Sequence, residues 1–391
     1  MTRFRSPRFT GPATLVALIA ALGCQETFEA GNPTVADSLD VPPALPADLP
    51  ELDGELRSDH LIEPDETRFL ELFQLTFDGE NANAIWSFNG DRLVLQRRSL
   101  EQGIDCDRIF VFDENGLHQI SSGAGVTASA YFLPDDESVM YASTFARMSD
   151  CPPERGETTP WELHPEYEIY IQELASGRAR PLAPSLGYDA EATISPVGNL
   201  VAFTSTRSGD PELWTCDLNG EQLTRITRLP GYDGEASFSH AGSRLVWRST
   251  VFTPGKETEE QKAFAALLAR GQVQPGAMEL MTARIDGGQR QPLTALGGSN
   301  RAPNFTPDDE AVLFASNHHT GTDSRDLDLF LVPSEGGPHG PEQLERVTTY
   351  EGFDSFPMFH PSGEWLVFSS SRGAAAEGDV NLFVARWRTA D

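Results

Sequence analysis

The sequence predicts an all-β fold, a six-bladed β-propeller whose N-terminal strand completes the last blade. Three observations predict it. The stretch Gly187-Tyr-Asp-Ala-Glu-Ala-Thr-Ile-Ser-Pro-Val-Gly-Asn-Leu-Val-Ala-Phe203 is repeated, barely changed, as Gly231-Tyr-Asp-Gly-Glu-Ala-Ser-Phe-Ser-His-Ala-Gly-Ser-Arg-Leu-Val-Trp247, at the spacing of one propeller blade. Six turn signals of this kind recur, each set between two short apolar runs. The last repeat runs out of chain after its third strand, while a spare strand of the missing type stands before the first.

In chain order, Arg3, Arg5 and Arg8 precede an apolar segment, 13–22, that is too short to span a bilayer and ends at Gly23-Cys24. This reads as a signal peptide, 1–24. The next segment, 25–66, is rich in Pro and acidic residues and has no sustained period, so it is expected to be a tether. The propeller is expected over 67–391. Its turns are Trp86-Ser-Phe88-Asn-Gly-Asp, Tyr131-Phe-Leu-Pro-Asp-Asp136, Ile194-Ser-Pro-Val-Gly198, Phe238-Ser-His-Ala-Gly242, Phe305-Thr-Pro-Asp-Asp309 and Phe359-His-Pro-Ser-Gly363. Pro followed by Asp or Gly sets a tight turn, because Pro holds one φ and Asp or Gly tolerates the unusual φ that follows. Around each turn, apolar and polar residues alternate over four to six positions, the pattern of a half-buried strand. The segment 69–76, Phe-Leu-Glu-Leu-Phe-Gln-Leu-Thr, carries the ending of a fourth strand and is expected to zip the ring shut, removing two exposed sheet edges.

Three insertions, 145–166, 251–278 and 318–326, all fall between second and third strands. Strand order places them on the rim that also carries the links into each inner strand. Residues 257–270 open with acids and close with Arg270 and Gly271, as a helix prefers. Phe264, Leu267 and Leu268 share one face and are expected to pack down onto the rim.

Of 391 residues, 59 are acidic and 29 basic, a formal net charge of −30. Such a surface repels phosphate backbones, which excludes nucleic acid as the expected partner. It favours cations, amines or basic protein surfaces.

The repeated Phe-x-Pro-Asp/Gly turn, the Val-x-Phe-x-Ser strand and the Asp-Leu-Phe or Asn-Leu-Phe strand resemble the TolB-like periplasmic β-propeller repeats over 69–387. The resemblance covers the propeller alone. It implies a location in the cell envelope, in the periplasm. Gly23-Cys24 resembles the bacterial lipoprotein box, which makes Cys24 the candidate lipid acceptor. Gln25 after it carries no retention signal of the Asp type, so the resemblance implies an outer-membrane lipoprotein held to the membrane only through its anchor.

The candidate channel-mouth residues are Asn83, Thr127, Asp189, Asp233, Asn300 and Asp354, one short polar residue at the start of each inner strand, with Glu191 and Glu235 two positions further on. Such a ring could hold a cation, with Asp189, Asp233 and Asp354 as calcium ligands, or an amine-bearing ligand. The same residue types also hydrogen-bond their own backbone and shape loops. Cys106 and Cys151 lie in neighbouring loops of one rim, which makes a disulfide feasible in an exported protein, whereas Cys216 reads as packing. Adjacent His318 and His319 point to opposite sides of a strand end and make a shared metal awkward. Arg97, Arg98, Arg207, Arg248 and Arg372 end second strands and face the insertion rim, where they could pair with the acids or with a ligand carboxylate. No nucleophile elbow, zincin helix or phosphate loop is present. The favoured reading is a binding or scaffold module that recognises an envelope protein or peptide through the insertion-bearing rim. The alternative is a hydrolase or lyase acting in the channel mouth.

Overall fold

The computed structural model describes residues 28–29, 56–152, 160–274, 278–321 and 324–389. The signal segment and Cys24 lie outside them. Each repeat folds into an antiparallel sheet of four strands, because a run of four to six apolar-alternating residues followed by a tight turn can pair only with its sequence neighbour. The six innermost strands are Glu80–Trp86, Thr127–Phe132, Asp189–Ile194, Asp233–Phe238, Asn300–Phe305 and Asp354–Phe359, in blades 1 to 6. Each touches the next, and the sixth touches the first, so they stand around a single channel. Blade 2 has a fifth strand at its outer edge, where Phe28 and Glu29 pair with Ala179 and Arg178.

Blade 6 closes the ring. Phe69–Gln74 runs antiparallel to Asn381–Trp387, with Phe73 opposite Val384 and Gln74 opposite Phe383. Leu75 N donates to Leu382 O at 2.8 Å, and Leu382 N donates to the Thr76 hydroxyl at 2.9 Å. The core follows the ring: apolar clusters fill the gaps between adjacent blades, such as Trp86, Leu93 and Phe112 of blade 1 against Trp365, Val367 and Leu382 of blade 6.

The turns on the rim opposite the insertions interlock. The carboxylate of Asp136 accepts from the amides of Phe88 and Asn89 at 2.7 and 2.9 Å. Asp309 does the same for His240 and Ala241 at 2.6 and 3.0 Å. At the blade 6 to blade 1 seam, a Cβ on Gly90, whose φ is +83°, would lie 2.2 Å from His360 Nε2, so this turn needs glycine for both space and conformation.

The packed part of the chain begins before 67, inside the stretch whose composition suggests a tether. Leu56 and Ser58 are buried, and Glu66 is 1% exposed. Glu66 grips Arg372 with both oxygens, at 2.9 Å each, and the same guanidinium reaches Asp354 at 2.7 Å. A polar, proline-bearing segment can be anchored by one buried ion cluster that leaves no periodicity in the sequence.

The insertions meet across blade 3. Gln272–Val273 from the blade 4 insertion pairs with Trp161–Glu162 from the blade 2 insertion, and Leu163 N donates to Gly271 O at 2.7 Å. The helix, Glu257–Leu268, leans on this ribbon: Phe264 and Leu268 pack against a small core of Leu163, Tyr188, Tyr232, Val273 and Met278.

Arg372 is the countercharge for two buried carboxylates, so Arg372→Ala should lower stability by about 3–5 kcal/mol. Equilibrium urea unfolding checks this; an unchanged midpoint would show that the cluster does not hold the N-terminal segment.

Candidate functional site

Every inner strand has the same irregularity. The pairing register slips at residues 83–84, 129–130, 191–192, 235–236, 302–303 and 356–357. The first residue of each slip, Asn83, Ser129, Glu191, Glu235, Ala302 and Phe356, adopts a left-handed backbone with φ between 48° and 55°. Left-handed conformations cost non-glycine residues on the order of 1 kcal/mol each. Bulges re-aim side chains, and all six of these residues line one cavity of about 500 Å³ at the channel mouth. The insertions supply its outer wall with Trp161, Glu162, His164 and Tyr167.

This register corrects the expected ring. Asn83 belongs with Glu191 and Glu235 in the bulge column. The partner of Thr127, Asp189, Asp233, Asn300 and Asp354 in blade 1 is Asn81, which pairs with Arg97 as Asp189 pairs with Ser205. The sequence alignment counted from Phe88, whereas the structure ends the strand at Trp86.

The residues of that outer column are nearly all solvent-free and serve the framework. The Thr127 hydroxyl donates to Asp107 O at 2.9 Å. Asp189 accepts from Ser185 at 2.6 Å and Arg207 at 3.1 Å, and Asp233 accepts from Trp247 Nε1 at 2.8 Å. Asn300 Nδ2 reaches Met278 O at 2.9 Å, and Asp354 is held by Arg372. Asp189, Asp233 and Asp354 do not converge: among the described residues, only His319, Asp326 and Asp328 stand close enough together to share a metal ion. There His319 Nε2 lies 2.8 Å from Asp328 Oδ2, and Arg346 Nε donates to that same oxygen at 2.8 Å. The arginine supplies the countercharge a cation would, and Arg225 does so for Glu212 in blade 3. His318 turns away to Ser316, 3.0 Å from its hydroxyl.

Glu191, Glu235, Arg248 and Arg301 line the blade 3 to blade 5 side of the cavity. Glu191 accepts from Tyr232 Oη at 2.5 Å, Thr204 at 2.8 Å and the Glu235 amide at 3.0 Å. Glu235 pairs with Arg248 Nη2 at 3.0 Å and accepts from the Ala302 amide at 3.1 Å. Burial, and then the Glu191 carboxylate, push the Tyr188 and Tyr232 hydroxyls well above the phenol range. The Arg248 guanidinium lies between aromatic faces, 4.2 Å from the Trp161 ring and 5.2 Å from Tyr232. Gly234 leaves room for the network, because a Cβ there would lie 2.4 Å from both Glu191 Oε2 and Tyr232 Oη. On the far wall, burial raises the Asp107 carboxyl to about 6.

Among the described residues, the rim around the mouth carries five exposed large apolar side chains. Leu186, 92% exposed, and Leu229 lie in the links between blades; Phe77 does so after the closing strand. Leu100 and Val251 follow second strands. On the same rim Cys106 and Cys151 form a disulfide, with Cα atoms 5.7 Å apart. Cys216 is free and buried, its thiol raised to about 12 by burial.

Architecture and channel together define a six-bladed β-propeller with a cavity at its insertion-bearing face. No protein-family model matches the chain. Over 180 residues, 46% of this chain and 33% of the relative, it is 25% identical to a TolB homolog of Chlorobium luteolum (strain DSM 273 / BCRC 81028 / 2530). Over 178 residues, 46% of this chain and 32% of the relative, it is 26% identical to one of Chlorobium chlorochromatii (strain CaD3). The matched segment thus spans about a third of these relatives' length. A gluconolactonase structure from Xanthomonas campestris superposes with a TM-score of 0.51 at 13% identity, covering 82% of this chain and 91% of that one. TolB from Acinetobacter baumannii superposes with a TM-score of 0.45 at 18% identity, covering 80% and 65%. The fold is thus a six-bladed β-propeller, and over somewhat less than half of its length the chain is similar to TolB homologs.

Burial raises several carboxyls: Asp107 to about 6, and Glu168, Asp210 and Asp328 to about 7. Folded, these groups hold protons more tightly than the unfolded chain does. Their stabilising effect is complete below the ordinary carboxyl range near about 4 and is lost as pH rises through about 7. Thermal melts should therefore give a higher Tm at pH 5.5 than at pH 8, and Glu168→Gln with Asp210→Asn should flatten the slope. A Tm that rises with pH over this window would refute the assignment.

Proposed function

We propose that the chain is an exported, lipid-anchored binding or scaffold module of the cell envelope, which recognises a partner protein or peptide through its insertion-bearing rim. The observation that carries this reading is the coincidence on one rim of the cavity mouth, the ribbon joining two insertions and, among the described residues, five exposed apolar side chains. A rigid ring that displays irregular loops on one face suits recognition, and large apolar side chains left in water mark contact surfaces when they gather on one face. The acidic body, with a formal charge of −30, favours a partner whose matching face is basic around an apolar centre.

Two features support export. Arg3, Arg5 and Arg8 followed by the apolar 13–22 segment form a signal, and the Cys106–Cys151 disulfide suits an oxidising compartment. The likeness to TolB homologs supports the cell envelope as the location. Cys24 is the acceptor of the lipid anchor, with the outer membrane as its destination.

Cys24→Ala should move the protein from the membrane fraction to the soluble periplasmic fraction; a variant that stays with the membrane sinks the anchor. Cross-linking in intact envelopes should trap a defined partner with the wild type, and Leu100→Asp combined with Leu186→Asp should abolish that adduct at unchanged Tm. Equal trapping by the double variant would move the contact surface away from this rim.

A further inference from the structure

The residue just before each bulge is Ala82, Ala128, Ala190, Gly234 and Ser355 in five blades, and Arg301 in blade 5. Two of the small residues, Ala82 and Ala128, line the cavity, and at this position in blade 5 a long cation does so instead. Arg301 lines the cavity. Among the described residues its guanidinium has no hydrogen bond and no ion pair; its Nε is buried without an acceptor, and its one contact of note is the face of Phe356, 4.9 Å from the ring centre. Burial lowers its pKa; the nearby Glu235 carboxylate acts against this and Arg248 with it.

The other inward arginines show how this fold treats a guanidinium that belongs to the framework. Arg372 has Glu66 at 2.9 Å and Asp354 at 2.7 Å. Arg207 has Ser205 at 2.8 Å, the Ala183 carbonyl at 2.8 Å and Asp189 at 3.1 Å. Arg97 has Asp78 at 2.8 Å and Gln102 at 3.1 Å. Arg301 has none of this, and the nearby carboxylates are already committed. Glu191 is held by Tyr232, Thr204 and an amide; Glu235 is held by Arg248 and another amide. Arg248 itself keeps a buried Nε without an acceptor.

We propose that Arg301, with Arg248 beside it, is a carboxylate-binding site in the wall of the channel mouth. A guanidinium presents a flat fork of donors that matches a carboxylate with two parallel hydrogen bonds. The Phe356 ring lies 4.9 Å from the Arg301 guanidinium and the Trp161 ring 4.2 Å from that of Arg248; Arg248 is already paired with Glu235, so Arg301 offers the open donors and Arg248 adds positive charge beside it. A singly charged group suits the place, because Glu191 and Glu235 would repel a doubly charged phosphate. The cavity admits an acidic side chain, a chain terminus or one acidic sugar ring. The site rests on the reading of this rim as the binding face and names the group recognised in its wall.

Isothermal titration calorimetry on the full protein tests it with four probes: N-acetylphenylalanine and its amide, and galacturonate and galactose. At least one acid should bind tenfold or more tighter than its neutral counterpart, and which acid does so distinguishes an amino-acid carboxylate from a sugar carboxylate. Arg301→Gln should erase the difference, while Arg301→Lys should keep part of it. Because Arg301→Gln removes an unpaired enclosed charge, it should leave Tm unchanged or raise it. The proposal is overturned if neither acid outbinds its neutral partner, if Arg301→Gln binds the acids as wild type does, or if that variant loses Tm as a framework arginine would. Small probes need no partner protein, so failure of the rim double variant to lose its adduct leaves this measurement standing.

Discussion

An antiparallel sheet ends in unpaired backbone, and a ring of sheets is stable only when its first and last members meet. Here Phe69–Gln74 supplies the outer strand of the blade that Asp354–Phe359 begins, so no blade is left short. The pairing is reinforced from both sides. Thr76 ties to Asn381 and Leu382, and Glu66 locks onto Arg372 deep between the strands. The inner strands keep their places around the channel because this one junction holds, and the cavity exists because they do. The salt cluster lies in a place no water reaches, where a lone charge is far costlier than a matched set.

Two columns of residues run around the channel with different duties. The outer column, Asn81, Thr127, Asp189, Asp233, Asn300 and Asp354, points back into the blades and satisfies hydroxyls, amides and arginines there. The bulge column, two residues on, points into the cavity and varies in chemistry from Asn and Ser through two Glu to Ala and Phe. The left-handed backbone at each of these positions is repeated in all six blades. It is therefore a feature of the architecture, and the identity of the side chain is what distinguishes one blade from another. Arg301 stands out against this regular background as a charge with no hydrogen bond or ion pair among the described residues.

Much of this was legible in the chain. The Phe-x-Pro-Asp/Gly turns counted the blades, the stray Gln-Leu-Thr strand announced the closure, and the position of the long insertions between second and third strands put them on one rim. Helix Glu257–Leu268 followed from its acidic start and from Gly271 after its end. The candidate ring was harder. A bulge adds residues to one strand without changing its apolar pattern, so counting back from Phe88 placed Asn83 two positions from its true equivalent. The burial of Glu66 left no local trace, because its partner Arg372 is more than three hundred residues away in the chain.

By itself the sequence determined the repeat, the number of blades, the seam that joins its two ends and the side from which the loops project. These depend on neighbours in the chain: turn residues, strand alternation and the order of short elements. Only the tertiary structure decided which polar residues face inward, that the insertions of blades 2 and 4 pair across blade 3, and that among the described residues Arg301 has no hydrogen bond or ion pair. Those outcomes depend on which side chains from distant strands arrive in the same space. A guanidinium is spoken for or left free according to carboxylates that no local pattern can bring to it.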